Sequence, residues 1–142
     1  MRTDTQKAKS LLLDGKYTCV LCKGEEVYTS SQRGVAPLLS WIKSETDLKN
    51  FSAADKVVGK AAAFLYVLLG VKEVYAEIIS EPARQTLENF NISHQFASKV
   101  KAIRNRTNTG FCPMESTVLN IDDPNEALKA IIKKLEELKN QN

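Results

Sequence analysis

Asp55, Lys56 and Lys60 form the first group of residues within reach of chemistry. Ser52-Ala-Ala-Asp55 has the spacing of a capping box, which satisfies the free N–H groups at a helix start. On the helix this predicts, Lys56 and Lys60 stand four apart and share one stripe, where like charges repel. The stripe continues into Phe64 and Val67 or Leu68, residues of core type. The lysines would then stand at the mouth of a pocket, beside a helix start that favours anions. Gly59 would let another backbone or a ligand come close. The competing reading is a cap followed by two solvated lysines.

The second group lies between residues 104 and 115. Arg104, Arg106, Thr109 and Glu115 surround a glycine and a new helix start at Cys112-Pro113. Guanidinium forks and backbone N–H groups both suit phosphate or carboxylate. No Gly-Lys-Ser/Thr follows, so this is not a Walker motif. Cys112 at a cap position is a candidate nucleophile, because a helix start can favour the thiolate. Asp55 or Glu115 would be its acid/base partner. Against this stand a polar surface loop, a small capping cysteine and a Glu115 that closes the capping box of its own helix. Ser80-Glu81-Pro82 makes a third polar helix start, with Ser80 as cap and Pro82 in the first turn. The one histidine, His94, falls on a predicted strand.

Cys19-Val-Leu-Cys22 has metal-ligand spacing, but a zinc site needs a second pair and only one more cysteine exists. On a strand, residues three apart point to opposite faces, so core packing explains both. No metal and no cofactor are expected.

These groups need elements to position them. The pattern predicts a helix over 5–13, strands over 17–23 and 26–30 around a turn at Lys23-Gly24, and a helix over 35–44. A helix over 52–70 follows, apolar on every side from Ala61 to Leu69 and stopped by Gly70. Then come a strand over 71–79, the predicted centre of the sheet, a helix from Ser80, and a strand over 92–97. Residues 104–110 read as a loop, 112–119 as a short helix and 124–139 as an amphipathic last helix. A hairpin followed by alternating helices and strands points to one α/β domain, residues 1–142, with three layers around a mixed sheet.

Composition sets outer limits. The chain has 142 residues, 43% hydrophobic and 26% charged, enough for one core without disulfide or metal staples. Its net charge of +3, from 20 basic and 17 acidic residues, is small for a dedicated nucleic-acid binder. The first residues carry no apolar stretch, and the longest apolar run is far short of the ~20 residues of a membrane span. A cytoplasmic protein with free thiols is expected, without a membrane partner.

Phe51-Ser-Ala-Ala-Asp-Lys-Val-Val-Gly-Lys-Ala-Ala-Ala63, Ile103-Arg-Asn-Arg-Thr107 and Thr109-Gly-Phe-Cys-Pro-Met-Glu115 resemble a small prokaryotic family, domain of unknown function 1893. The resemblance spans nearly the whole chain. It implies the cytidine-deaminase-like fold, a three-layer α/β/α domain around a mixed sheet. Deaminases of that fold hold zinc with His/Cys-x-Glu at one helix start and Pro-Cys-x-x-Cys at the next. Here the first place is expected at Asp55-Lys56-Val57 and the second at Ser80-Glu-Pro-Ala-Arg-Gln-Thr-Leu87, which lack those ligands. Zinc-dependent deamination therefore has no metal-bound water. The geometry that remains is a pocket where helix starts meet, lined by Asp55, Lys56, Ser80 and Glu81. Three functions follow: a binder of a small anionic or nucleotide-like ligand, a metal-independent enzyme using Cys112, or an interaction protein that packs on a partner or on a second copy of the chain as a homodimer.

Overall fold

A computed structural model of the chain describes residues 2–104 and 112–140. The elements are α1 (Thr3–Asp14), β1 (Cys19–Lys23), β2 (Glu26–Ser30), α2 (Ala36–Lys43), β3 (Ser52–Val58), α3 (Lys60–Leu69), β4 (Glu73–Ser80), α4 (Glu81–Asn89), β5 (Ser93–Val100), α5 (Pro113–Val118) and α6 (Pro124–Asn140). The five strands form one mixed sheet in the order β2-β1-β3-β4-β5. β1 runs antiparallel to both β2 and β3, while β3, β4 and β5 are parallel.

The three layers are unequal. On one face α1 alone covers a small cluster of Ala8, Leu12, Val20, Cys22, Ala54 and Tyr75. On the other face α2 to α6 close over the main core. α3 lies at its centre and packs on α2, α4, α5 and α6. Its residues from Ala61 to Tyr66 are all buried, as the unbroken apolar run required. Phe64, Leu65 and Tyr66 are each at most 1% exposed, and burying side chains of this size contributes about 2 kcal/mol apiece. Gly70 ends the helix in the left-handed conformation at φ 76°, which glycine adopts without steric cost.

One prediction fails in an informative way. Residues 52–58 are not the first turns of a helix but β3, and β3 rather than β4 is the middle strand. Lys56 is therefore an exposed strand residue and Lys60 the first residue of α3, so they share no helix stripe. Ala53 and Ala54 favour helix intrinsically, but here they are small because helices press on both faces of the strand. Ser52 caps nothing; its hydroxyl is buried with no hydrogen-bond partner among the described residues. Cys19 and Cys22, three apart on β1, fall in the two separate cores, as strand geometry demands.

The strand alternation slips where the site begins. Val74, Ala76 and Ile79 of β4 all face the main core, a step of three after a step of two. Asp55 and Val58 make the same step on β3: Asp55 reaches α3, and Val58 joins the core. Lys56 and Val57 are left outside, with Val57 paired to the exposed Ile78.

Candidate functional site

α3 and α4 both start at the carboxyl ends of parallel strands, the end of an α/β sheet where ligand crevices form. Beside β3 there opens a cavity of about 280 Å³, lined by Thr18, Arg33, Asp55, Lys56, Cys112 and Glu115 together with apolar side chains. It is small for a ligand site, about the size for one ring system.

Asp55 is the buried acid of this cavity, 6% exposed. Its Oδ2 accepts a hydrogen bond from the Tyr66 hydroxyl at 2.6 Å. Its Oδ1 has a long 3.4 Å contact from the Val57 N–H. The Cys19 Sγ lies 3.2 Å from the same Tyr66 oxygen. Since the Tyr66 proton points to Asp55, the thiol is left to donate to the tyrosine, giving a chain Cys19–Tyr66–Asp55 from core to cavity. Asp55 makes no ion pair among the described residues. Burial without a counter-charge pushes its pKa up to about 7, against the opposing hydrogen bonds from Tyr66, Val57 and Lys56. Burial, and the neighbouring Asp55, likewise raise Cys19 and Tyr66 well above their ordinary values, so both stay neutral.

Glu115 is the second buried carboxyl, and it does not close a capping box on its own helix. It crosses to α3, where Oε1 accepts from the Lys60 N–H at 2.5 Å and Oε2 from the Ala61 N–H at 3.0 Å. It thereby supplies the cap that Gly59, having no side chain, cannot. A Cβ on Gly59 would overlap the Glu115 carboxylate, so the room at Gly59 is taken by a side chain from α5 and not by a backbone or a ligand as expected. Burial raises the Glu115 pKa even though the two N–H groups and Lys60 pull it down.

Cys112 is the N-cap residue of α5, half-buried, and its side chain makes no cap hydrogen bond. It lines the same cavity as Asp55 and Glu115. Cys19 and Cys22 are only 2% and 0% exposed. Iodoacetamide should therefore label one thiol of the native protein rapidly, and peptide mass mapping should place it on Cys112.

Several candidates lie elsewhere. Ser80 caps α4, its buried Oγ accepting from the Ala83 N–H at 3.2 Å. Ser80→Ala should cost about 1 kcal/mol in urea denaturation, as for other lost caps. Glu81 turns to the surface, paired with Arg84 at 2.8 Å and Lys99 at 3.0 Å. These two cations, Arg84 first, hold its carboxyl at about 2. Neither Ser80 nor Glu81 lines the cavity, which corrects their expected place beside Asp55. The Lys60 ammonium donates to the Leu119 carbonyl at 2.8 Å and lies over the Phe64 ring, outside the cavity. His94 sits on β5 with Nδ1 3.0 Å from the Ile92 carbonyl and borders a different hollow from Cys112. Arg104 is exposed beyond β5; Arg106 and Thr109 lie outside the described residues.

The helix starts are Gly59-Lys60-Ala61 and Ser80-Glu81-Pro82, so the expected match of the first to Asp55-Lys56-Val57 falls four residues early. Neither start offers a thiolate or imidazole, and zinc does not fit there. Among the described residues no three His, Cys, Asp or Glu side chains are grouped to hold a metal. No helix among them is long and apolar enough to cross a membrane.

Fold and cavity define a three-layer α/β domain with a buried acid midway along its middle strand. The chain belongs to the family described as Domain of unknown function (DUF1893), whose model matches residues 7–135. The crystal structure of a DUF1893 family protein from Thermotoga maritima superposes with a TM-score of 0.86 at 24% identity, covering 94% of this chain and 92% of that one. The likeness to two larger proteins is weak. A diaminohydroxyphosphoribosylaminopyrimidine deaminase/5-amino-6-(5-phosphoribosylamino)uracil reductase of Thermotoga maritima gives a TM-score of 0.42 at 14% identity, over 82% of this chain and 40% of that one. RibD of Acinetobacter baumannii gives 0.41 at 18% identity, over 89% and 38%. No curated protein matches the chain in sequence.

Proposed function

We propose that the cavity beside β3 binds a small anionic, nucleotide-like ligand, in a zinc-free relative of the cytidine-deaminase-like fold. The observation that carries this reading is the pairing of opposite chemistries in one cavity. Asp55 stands in its apolar interior, and two exposed cations, Arg33 and Lys56, stand at its border. Arg33 offers a fork for phosphate or carboxylate, and Lys56 adds a point charge. The helix start next to the cavity is already filled by the Glu115 carboxylate, so the ligand's anion falls to these side chains.

Thermal unfolding with purine and pyrimidine nucleoside monophosphates tests this. A ligand at a hundred times its dissociation constant stabilises by about 2.7 kcal/mol, an easily read shift. Arg33→Ala and Lys56→Ala should each weaken it, more so at low salt. The same nucleotides should slow the alkylation of Cys112. No shift and no protection at millimolar concentration would sink the reading.

One observation favours a second reading, a metal-independent enzyme: Cys112 lines the same cavity as Asp55. It predicts that a bound substrate leaves a covalent mass adduct on Cys112. Intact mass that never changes during turnover would remove it.

A further inference from the structure

Two carboxyl groups line the cavity, and they are not equivalent. Both oxygens of Glu115 are engaged by the backbone of α3. Asp55 has one strong partner, Tyr66; its other donors are backbone N–H groups, Val57 at a long 3.4 Å and Lys56, whose N–H already donates to the Thr18 carbonyl at 3.1 Å. A carboxylate has about four lone-pair sites, so both Asp55 oxygens can still accept. The residue is buried, lines the cavity, and has no cation beside it among the described residues. Such a group is missing donors, and the rest of the cavity wall is largely apolar.

From this we infer that Asp55 is the specificity-determining acceptor of the site and reads two adjacent N–H donors on a flat ring, an amidine- or guanidine-like edge such as guanine presents. This rests on the proposed nucleotide-like ligand and names the part of it that enters. Side-by-side donors match a carboxylate in the two-bond arrangement that arginine makes with it. A simple ammonium ligand would meet Arg33 and Lys56 on its way in, whereas a neutral ring with an anionic tail meets both ends correctly. Tyr66 is a positioning residue. Its hydroxyl fixes Oδ2, and its place in the middle of α3 fixes the hydroxyl.

Charge on Asp55 then becomes part of recognition. The groups that share its surroundings are Cys19 on β1, Tyr66 on α3, Glu115 and Cys112 at α5, and Arg33 and Lys56 at the rim. Asp55 holds its proton to about pH 7 in the free protein. Accepting two N–H donors favours the ionised form, so binding near pH 6.5 should release a proton.

The test compares guanosine, inosine and adenosine monophosphates by calorimetry on the full chain, in two buffers of different ionisation enthalpy. Inosine monophosphate lacks the exocyclic amine, and the phosphate is common to all three. The expected result is tightest binding of guanosine monophosphate, by about tenfold or more over the other two, with proton release. A lost donor facing a buried acceptor typically costs at least that much. Asp55→Asn should level the three affinities while leaving the phosphate-dependent part. Tyr66→Phe should reduce the preference and shift the pH profile of binding. Equal binding of all three would overturn this inference and leave the proposed function standing. Binding of none would overturn both.

Discussion

Asp55→Asn should make the protein more stable at pH 8, by up to about 4 kcal/mol, and no more stable at pH 4. Unfolded, an aspartate titrates near 3.9; folded, Asp55 does so at about 7. The folded state thus holds this proton more tightly. The stability tied to it is complete below about pH 4 and is lost as pH rises through 7. Asparagine keeps the shape, and its carbonyl can still accept from Tyr66, but it never carries the charge. The difference between variant and parent should open over that window and then stay level. Subtracting the two curves isolates Asp55, because Glu115 titrates alike in both. Asp55→Ala is the control. It also lacks the titrating group, so its curve should run parallel to that of Asp55→Asn, but about 1–3 kcal/mol lower at every pH because the buried Tyr66 hydroxyl has lost its acceptor. Urea midpoints from pH 4 to pH 8 read all three. An Asp55→Asn protein no more stable than the parent at pH 8 would mean that the carboxylate has a counter-charge in solution. A residue that costs stability where the protein could have had asparagine is the usual mark of a site kept for binding or chemistry.

How much of this was legible in the sequence depends on the scale of the signal. The apolar run of α3, its stop at Gly70, the hairpin and the amphipathic α6 are written in local periodicity and turn residues, and all stand in the structure. β3 was not legible. Ser52-Ala-Ala-Asp55 satisfies a helix-start rule, and only the flanking strands turn it into sheet. Val57-Val58 was the local hint, since β-branched pairs favour strands. The sequence singles out Asp55 and Lys56 in one group and Cys112 and Glu115 in another, and the four line one cavity. Their partners could not be read. Tyr66 gave a partial signal, since a tyrosine inside a fully buried helix needs a hydrogen-bond partner. Nothing local points it to a strand residue eleven positions earlier. Thr18 and Arg33 flank the open end of the β1–β2 hairpin, so the hairpin brings them near each other; that they border Asp55 follows only from the pairing of β1 with β3. Lys60 is misplaced because α3 begins there and not at residue 52, and Ser80 and Glu81 for another reason. A helix start marks which end of the sheet a residue occupies, but not which side of the helix its side chain takes.

The bond between α5 and α3 gives the other large expected effect. Glu115→Ala should destabilise by about 2–3 kcal/mol, because the Lys60 and Ala61 N–H groups lose their acceptor in a partly buried place. Glu115→Gln keeps one carbonyl oxygen and removes a charge that burial disfavours, so it should cost only about half as much. Gly59→Ala should be nearly as damaging as Glu115→Ala. Its backbone is extended, φ −97° and ψ −179°, which alanine adopts freely, so the damage comes from overlap with the carboxylate and not from the chain. The two substitutions should therefore be far from additive. With Glu115 already cut to alanine, the extra cost of Gly59→Ala should fall below about 0.5 kcal/mol, a coupling of about 2 kcal/mol. Urea denaturation of the four proteins gives that coupling. Additive losses would show that Gly59 serves something other than room for Glu115. A large coupling would establish that a carboxylate from a later helix performs the capping that residue 59 cannot, and so holds the wall that carries Cys112 against the strand that carries Asp55.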